Sequence, residues 1–401
     1  MGCWLNHMEA KRLAFVVSHP IQYYVPLYRR LAARRDICIK VFFTWHGGVG
    51  ETLDHGFQQA VAWDIPLTEG YELEVMPNRA ADPGTHHFYG LRNPTLIKRI
   101  LEWRPDVVHL TGYAYASHLW ALWVCWHSGI PVIFRGDSHL LDGQSGLKWV
   151  LKRFLLGAIY KRTAACLYVG KANKAYYEAF GVDEARLFYC PHSIDIERFS
   201  TPHEQLEAQA AAWRVSLGIA PEQFVVLFAG KFETKKRPLE LIRAILANAD
   251  PNIVLVMVGD GHLGNEVRQL ASSKPGRVFI LPFENQSRMP VVYRLGDVFV
   301  LPSAFGETWG LAVNEALACG RPAIVSDKVG CASNLIEAGV NGAVFPADCW
   351  DEFAVELHHI QMASWAKDQL SIQRTCELFS IASTEKSLSC TVAAILHSRE
   401  E

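Results

Sequence analysis

Several features that would place a chain quickly are missing from this one. No run reaches the ~18 uninterrupted apolar residues that a bilayer-spanning helix needs, and the richest stretch, LWALWVCW (119–126), is far shorter. Charge is balanced, with 39 Lys and Arg against 41 Asp and Glu and a formal net charge of -2. Nothing global therefore argues for nucleic acid or for a strongly anionic surface. The 10 cysteines stand singly, without CxxC or metal-ligand spacing, so the expectation is buried, reduced thiols in a cytoplasmic protein with no structural metal. The opening MGCWLNHMEAKR is too polar for a signal peptide, and Leu5, Asn6 and His7 fail to complete a lipidation pattern after Gly2 and Cys3. Repeats and low-complexity segments are absent as well. What is left is ordinary globular composition, 50% hydrophobic and 20% charged, in 401 residues. That length exceeds the ~250–300 residues at which one core stops growing, so two domains are expected.

Short apolar runs alternate with helical stretches throughout. LAFVVS (13–18), ICIKVFF (37–43), YELEVM (71–76), DVVHLTG (106–112), PVIFRG (131–136) and ACLYVG (165–170) read as strands. A connection follows at 188–200, then a polar, alanine-rich segment at 201–222. The alternation then restarts with FVVLFAG (224–230), NIVLVMVG (252–259), RVFILP (277–282), DVFVLP (297–302) and PAIVSD (322–327). Strands alternating with helices predict parallel sheets with helices on both faces. Continuous apolar runs suit strands that are covered on both sides. The predicted architecture is α/β, with two doubly wound halves meeting near residue 200 and ligands at the carboxyl ends of the strands, in the cleft between them.

Four pieces of the second half fall at such strand ends. In AGKFETKKRP, Lys231 follows Gly230, and Lys235, Lys236 and Arg237 precede a helix; these cations suit an anion, although a solvated basic loop reads as well. VGDGH (258–262) is a strand-to-loop glycine pair. Phe283 and Glu284 leave a strand where they can flank a base. SAFGETWGLAVNEALACGRP (303–322) holds Glu307 and Glu315 on either side of a glycine-fed helix start. The first N–H groups of that helix, at Trp309, Gly310 and Leu311, form an anion site. The two carboxylates can accept hydrogen bonds from sugar hydroxyls, or can simply lie on a charged helix face.

The stretch ETWGLAVNEALACGRPAIVSD, with glutamates at 307 and 315, resembles the signature of the retaining GT-B glycosyltransferases, the large fourth family of nucleotide-sugar transferases. FAGKFETKKRPLELIRA resembles the family's phosphate-binding strand–loop–helix. VGDGHLGNEV, YRLGDVFVLPSAFGE and VGCASNLIEAGVNGAVFP match its later elements, and CPHSIDIERF (190–199) resembles its domain junction, with His192 and Ser193 in place of Asn-Gly. The resemblance implies two facing Rossmann-like domains. Residues 1–200 would bind the acceptor, 201–379 would bind the nucleotide-sugar donor, and a last helix within 380–401 would pack back on the first domain. It implies that Lys231 and Lys236 neutralise the donor diphosphate, that Glu315 holds the ribose, and that Glu307 holds the sugar being moved. Trp309, Gly310 and Leu311 would offer backbone N–H groups. Neither a metal nor a cofactor is expected, since cations and dipoles stabilise the leaving diphosphate.

The first half departs from the family pattern. Where many members carry Gly-Gly after the first strand, this chain reads SHPIQYYVPLYRRLA (18–32), leaving His19 and Gln22 as polar groups for the acceptor side. After the strand PVIFRG, Arg135, Asp137, Ser138 and His139 leave toward the cleft, and Asp137 and His139 are the candidates for catalytic-side contacts. The acceptor itself is expected to be read by loops such as 44–60 and 78–93. KWVLKRFLLGAIYKRTAA (148–165) is basic and amphipathic; it fits a membrane surface or a helix with its stripe in the core, and the latter is the primary expectation. Trp120, Trp123 and Trp126 fit core packing or lipid equally. The predicted activity is metal-independent, retaining transfer from a nucleotide-sugar to a hydroxyl acceptor. A hydrolase or epimerase on the same fold, or a non-catalytic nucleotide-sugar-binding protein, is the alternative.

Overall fold

The apolar runs do form strands, because each can bury both faces under helices. In the computed structural model, which describes residues 10–47, 50–54, 56–143, 146–363 and 375–399, they make two parallel sheets. The first contains β1 (Lys11–Val17), β2 (Ile37–Phe43), β5 (Leu73–Val75), β6 (Val107–Thr111), β7 (Val132–Arg135), β8 (Ala165–Tyr168) and β9 (Leu187–Tyr189), in the order β5-β2-β1-β6-β7-β8-β9. Between β2 and β5 lies a separate antiparallel hairpin of β3 (Thr52–Asp54) and β4 (Gln59–Val61). The second sheet contains β10 (Phe224–Ala229), β11 (Ile253–Val258), β12 (Val278–Leu281), β13 (Val298–Leu301), β14 (Ala323–Ser326) and β15 (Gly342–Phe345), in the order β12-β11-β10-β13-β14-β15. All six residues of β11 are buried. In each sheet the strand order reverses beside the first strand, which opens a crevice at the carboxyl ends. The two crevices face each other.

Three differences from the sequence reading have local causes. The segment expected to be pure connection begins with edge strand β9, a three-residue pairing too short to show a pattern. The hairpin β3–β4 was read as loop for the same reason. Two helices, one left open between core and lipid and one expected to bury its apolar stripe, turn large side chains outward. Trp120, Trp123 and Trp126 on Ala116–His127 are 54%, 43% and 47% exposed, while the smaller Ala121, Leu122 and Cys125 lie against the sheet. On Leu147–Tyr160, Leu156 and Tyr160 are buried, but Val150, Leu151, Phe154 and Leu155 are exposed. The first of these helices is apolar on nearly every side and gives no periodicity by which to choose the inner face.

The helix Ile381–His397 returns to the first domain. Its Leu388, Val392 and Ile395 join the core beneath β1 and β2, Thr384 Oγ1 donates to Pro191 O at 3.1 Å, and Glu385 pairs with Arg30 and Arg34. Of the described cysteines, none is paired and six are buried.

Candidate active site

The second-domain wall starts where β10 ends. Gly230 has φ +154 and Gly259 has φ +142; a Cβ on Gly259 would lie 2.0 Å from the carbonyl oxygen of Gly230. The two loops can pack this closely only as glycines, and the chain then leaves β10 with Lys231 and the Lys235–Arg237 trio. That trio divides. Arg237 turns away to Asp348, at 2.6 Å, and Lys235 pairs with Glu233 at 3.3 Å. Lys236 faces the cleft, its Nζ 2.7 Å from Glu307 Oε2.

After β13 the backbone passes Ser303, reaches Glu307 and enters the helix Leu311–Ala318 through Gly310, at φ +95. A Cβ on Gly310 would meet Leu301 at 2.9 Å and Val329 at 3.0 Å, so the helix start is pressed against the core. Ser303 Oγ donates to Glu307 Oε2 at 3.2 Å. Burial alone would raise the pKa of Glu307, but the charge and hydrogen bond of Lys236 outweigh it and hold the carboxyl below its ordinary value. Trp309 is a wall rather than a contact at the surface: its ring is buried and its Nε1 donates to Asn314 at 2.9 Å. One turn into the helix, Glu315 is 2% exposed and accepts from Tyr293 Oη at 2.6 Å. Its other oxygen, Oε1, has no close hydrogen bond among the described residues, although Tyr23 and Arg198 both interact with the carboxyl. Burial raises its pKa, offset in part by Tyr293, Arg198 and Tyr23. A buried carboxylate oxygen without a close donor costs the fold, and a ligand hydroxyl would reduce that cost.

A cavity of about 410 Å³ joins these groups. Gly230, Lys231, Lys236, Phe283, Glu284, Glu307, Trp309, Gly310, Leu311 and Glu315 all line it, as do Asp137 and Gln22 from the first domain. Asp137 accepts from Thr308 Oγ1 at 2.9 Å and lies 3.7 Å from His192 Nε2. Burial would raise its pKa, and the neighbouring His192 ring and the hydrogen bond from Thr308 bring it below the ordinary value.

Three expected cleft residues lie elsewhere. His139 is buried beside the cavity: its Nδ1 accepts from Leu141 N at 3.2 Å, which leaves Nε2–H to donate to the Glu307 carbonyl at 3.1 Å. It therefore props the backbone of Glu307. Arg135 is turned under the floor, where it donates to Cys190 O and Pro191 O, each at 3.1 Å. His19 bonds Ser18 at 2.9 Å and packs on Trp45. The loop 44–60, expected from sequence to read the acceptor, contributes Asp54 and Phe57 to the cavity that holds Lys231. Trp63, Tyr23, His192 and Tyr293 also line it and were missed. The Asp-x-Gly turn at 54–56 between two short apolar stretches was the available hairpin signal.

Comparison with known proteins fits this geometry. Residues 62–198 match the family Glycosyltransferase Family 4, and 209–361 match Glycosyl transferases group 1. The D-inositol 3-phosphate glycosyltransferase of Actinosynnema mirum is 31% identical over 205 residues, 48% of this chain and 47% of that protein. The protein of the same name from Rhodococcus erythropolis is 30% identical over 220 residues, 52% of this chain and 48% of that one. The chain thus spans about half the length of the curated relatives it matches. Among solved structures, Anabaena Alr3699/HepE in complex with UDP superposes with a TM-score of 0.72 at 16% identity, covering 96% of this chain and 100% of that one, a likeness of fold. With both domains matched in chain order and the paired glutamates in the cleft, the chain belongs to the group 1 glycosyltransferases of GT-B architecture.

Proposed function

We propose that the chain is a retaining, metal-independent glycosyltransferase that moves a hexose from a nucleotide-sugar to a hydroxyl acceptor. The observation that carries this reading is the cavity in which the Lys236–Glu307 pair, a helix start and the buried carboxylate of Glu315 converge. The donor diphosphate takes Lys231, Lys236 and the N–H groups of the helix start. Ribose hydroxyls donate to Glu315, and the hydroxyls of the sugar donate to Glu307. As the C1–oxygen bond breaks, its electron pair passes to the diphosphate. The acceptor oxygen bonds C1 from the same face, and its proton goes to the departing phosphate oxygen. Fixed cations and dipoles aimed at the developing charge serve here in place of a divalent ion.

Structures titled as complexes of Alr3699/HepE with UDP and with UDP-glucose make uridine donors the first to test. UDP, GDP, ADP and dTDP are each expected to be screened by thermal shift, and one of them to raise the melting temperature; no shift with any would sink the donor reading. Product NMR should show the donor's anomeric configuration, and turnover should survive EDTA.

The acceptor side is proposed to work at an anionic membrane surface in a reducing, cytoplasmic compartment. No helix among the described residues is long and apolar enough to cross a membrane, so contact would be peripheral. The exposed Leu151, Phe154 and Leu155 lie on a helix that carries Arg153 and is followed by Lys161 and Arg162, and no acidic residue occurs from 143 to 177. Exposed apolar patches of this kind mark interaction sites. Flotation with vesicles containing anionic lipid should recover the wild type but not Leu151→Glu/Phe154→Glu; equal recovery of both would remove this part of the proposal.

A further inference from the structure

The hairpin β3–β4 belongs to the first domain by sequence, yet its contacts lie on the second. Asp54 places Oδ1 and Oδ2 2.8 and 3.1 Å from Lys231 Nζ. Two residues on, Gly56 passes so near that a Cβ there would lie 2.5 Å from the Lys231 side chain. The Phe57 ring lies 4.5 Å from that of Phe283, tilted by 58°, and Lys231 Nζ lies 4.9 Å from the Phe57 centroid. Trp63 adds an edge contact to Phe283 at 6.5 Å. Beyond the hairpin, Asn285 Nδ2 donates to Ala62 O at 2.6 Å, and Asp64 accepts from Ser287 N at 3.1 Å. The hairpin is therefore strapped across the mouth of the donor cavity at both ends.

Two facts about this strap point to a ligand. The two lysines of the cavity are neutralised differently: Lys236 by Glu307 of its own domain, Lys231 by a carboxylate carried in from the other. A carboxylate on Lys231 occupies the place a phosphate would take, since both are oxyanions recognised by the same ammonium. Beside that cation, two aromatic rings of the first domain, Phe57 and Trp63, converge on Phe283 of the second. A planar base attached to the phosphates would lie in this aromatic end of the cavity, and ring-on-base contact is favourable whatever the base.

We infer that the hairpin is the first domain's donor-reading element: Asp54 holds Lys231 in the absence of donor and yields it to the donor diphosphate, while Phe57, in contact with Phe283, extends the aromatic surface on which the base packs. The inference rests on the nucleotide-sugar reading above. Exchange of a partly exposed ion pair makes Asp54 a mild competitor for the diphosphate. The aromatic contact makes Phe57 a determinant of affinity for nucleotides over other diphosphates.

Calorimetric titration of the full chain with UDP, GDP, ADP or dTDP, whichever binds, and in parallel with inorganic pyrophosphate, separates the two roles. Asp54→Asn keeps an oxygen for the turn N–H groups of Gly56 and Phe57, which Asp54 now accepts at 2.8 and 3.1 Å, but removes the charge. It should tighten nucleoside diphosphate and pyrophosphate alike by about two- to five-fold, the range of an exposed ion pair. Phe57→Ala should weaken the nucleotide about ten-fold, as loss of one base-stacking contact does, and leave pyrophosphate unchanged. Phe57→Leu, which keeps apolar volume, should show the same selectivity, and melting curves should confirm that each variant folds. Weaker binding in Asp54→Asn, an unchanged nucleotide affinity in Phe57→Ala, or equal losses for both ligands would overturn the inference while leaving the donor reading intact. Failure of the wild type to bind any nucleoside diphosphate would overturn both.

Discussion

The two walls of the cleft are built by different means. On the second domain, Glu307 and Trp309 sit on a segment clamped from behind: Gly330 N donates to the Glu307 carbonyl and Cys331 N to that of Trp309, each at 2.9 Å. A Cβ on Gly330 would strike the Thr308 carbonyl at 1.8 Å. Glu315 is one turn into a helix whose Val313, Ala316 and Leu317 are in the core. The first-domain wall consists of a hairpin, the turn bearing Gln22 and Tyr23, and the loop bearing Asp137. Side-chain bonds across the cleft hold the hairpin, as Asp54 does with Lys231, and add to the Asp137 loop, which Asn173 and Tyr177 also hold from within its own domain. The donor wall is set mainly by the fold of its own domain, with His139 propping Glu307 from the other, whereas the hairpin of the opposite wall is held by contacts that a ligand can exchange. Preorganised groups on a core-backed wall cost no reorganisation as charge develops, which places the electrostatic part of the chemistry on the second domain.

If that division holds, substitutions on the two walls should differ most in turnover. Glu307→Gln and Lys236→Ala are each expected to lower kcat by about 10²–10³-fold, the cost of removing one preorganised transition-state contact, with circular dichroism unchanged. Gln22→Ala, across the cleft, should cost about two- to ten-fold, the scale of one neutral hydrogen bond. Similar losses on both walls would erase the distinction.

The same contrast governs what could be read from sequence. The second-domain wall was legible because its residues are close in sequence and fixed by backbone geometry: Gly310 must be glycine, Glu307 and Glu315 flank it, and Lys231 and Lys236 follow a buried strand. The sheets were legible except for the edge strands β9 and β15, because strands covered on two faces are apolar throughout while short edge strands show no such run. The first-domain wall was not. Its members are far apart in the chain, the hairpin strands are three residues each, and the residues that matter, Asp54 and Phe57, look like any turn. Arg135 was placed in the cleft because it follows a strand end, but carbonyl acceptors at Cys190 and Pro191, brought close only by tertiary packing, draw it below the floor. The exposed tryptophans show the converse: a helix apolar on every side conceals which face the sheet will take.

Proton linkage offers a finer comparison, because the carboxylates Asp137 and Glu315 are shifted in opposite directions. Asp137 is held below its ordinary value, so its contribution to stability is present above the unfolded pKa, near 3.8, and is lost as pH falls through the lower folded value. Asp137→Asn should therefore lower the melting temperature at pH 6.5, with a deficit that narrows below about pH 4. Glu315 is raised by burial, so its charged form strains the empty fold, a penalty that develops as pH rises through its unfolded value and is complete above the folded one. Glu315→Gln should then raise the melting temperature of the empty protein at pH 6.5, with the gain vanishing in acid, while reducing the further rise produced by a bound nucleotide. Stabilisation gained at the expense of ligand binding is the signature of a group kept for function. Should Glu315→Gln destabilise the empty protein at pH 6.5, the carboxylate would belong to the architecture of the wall and not to its ligand.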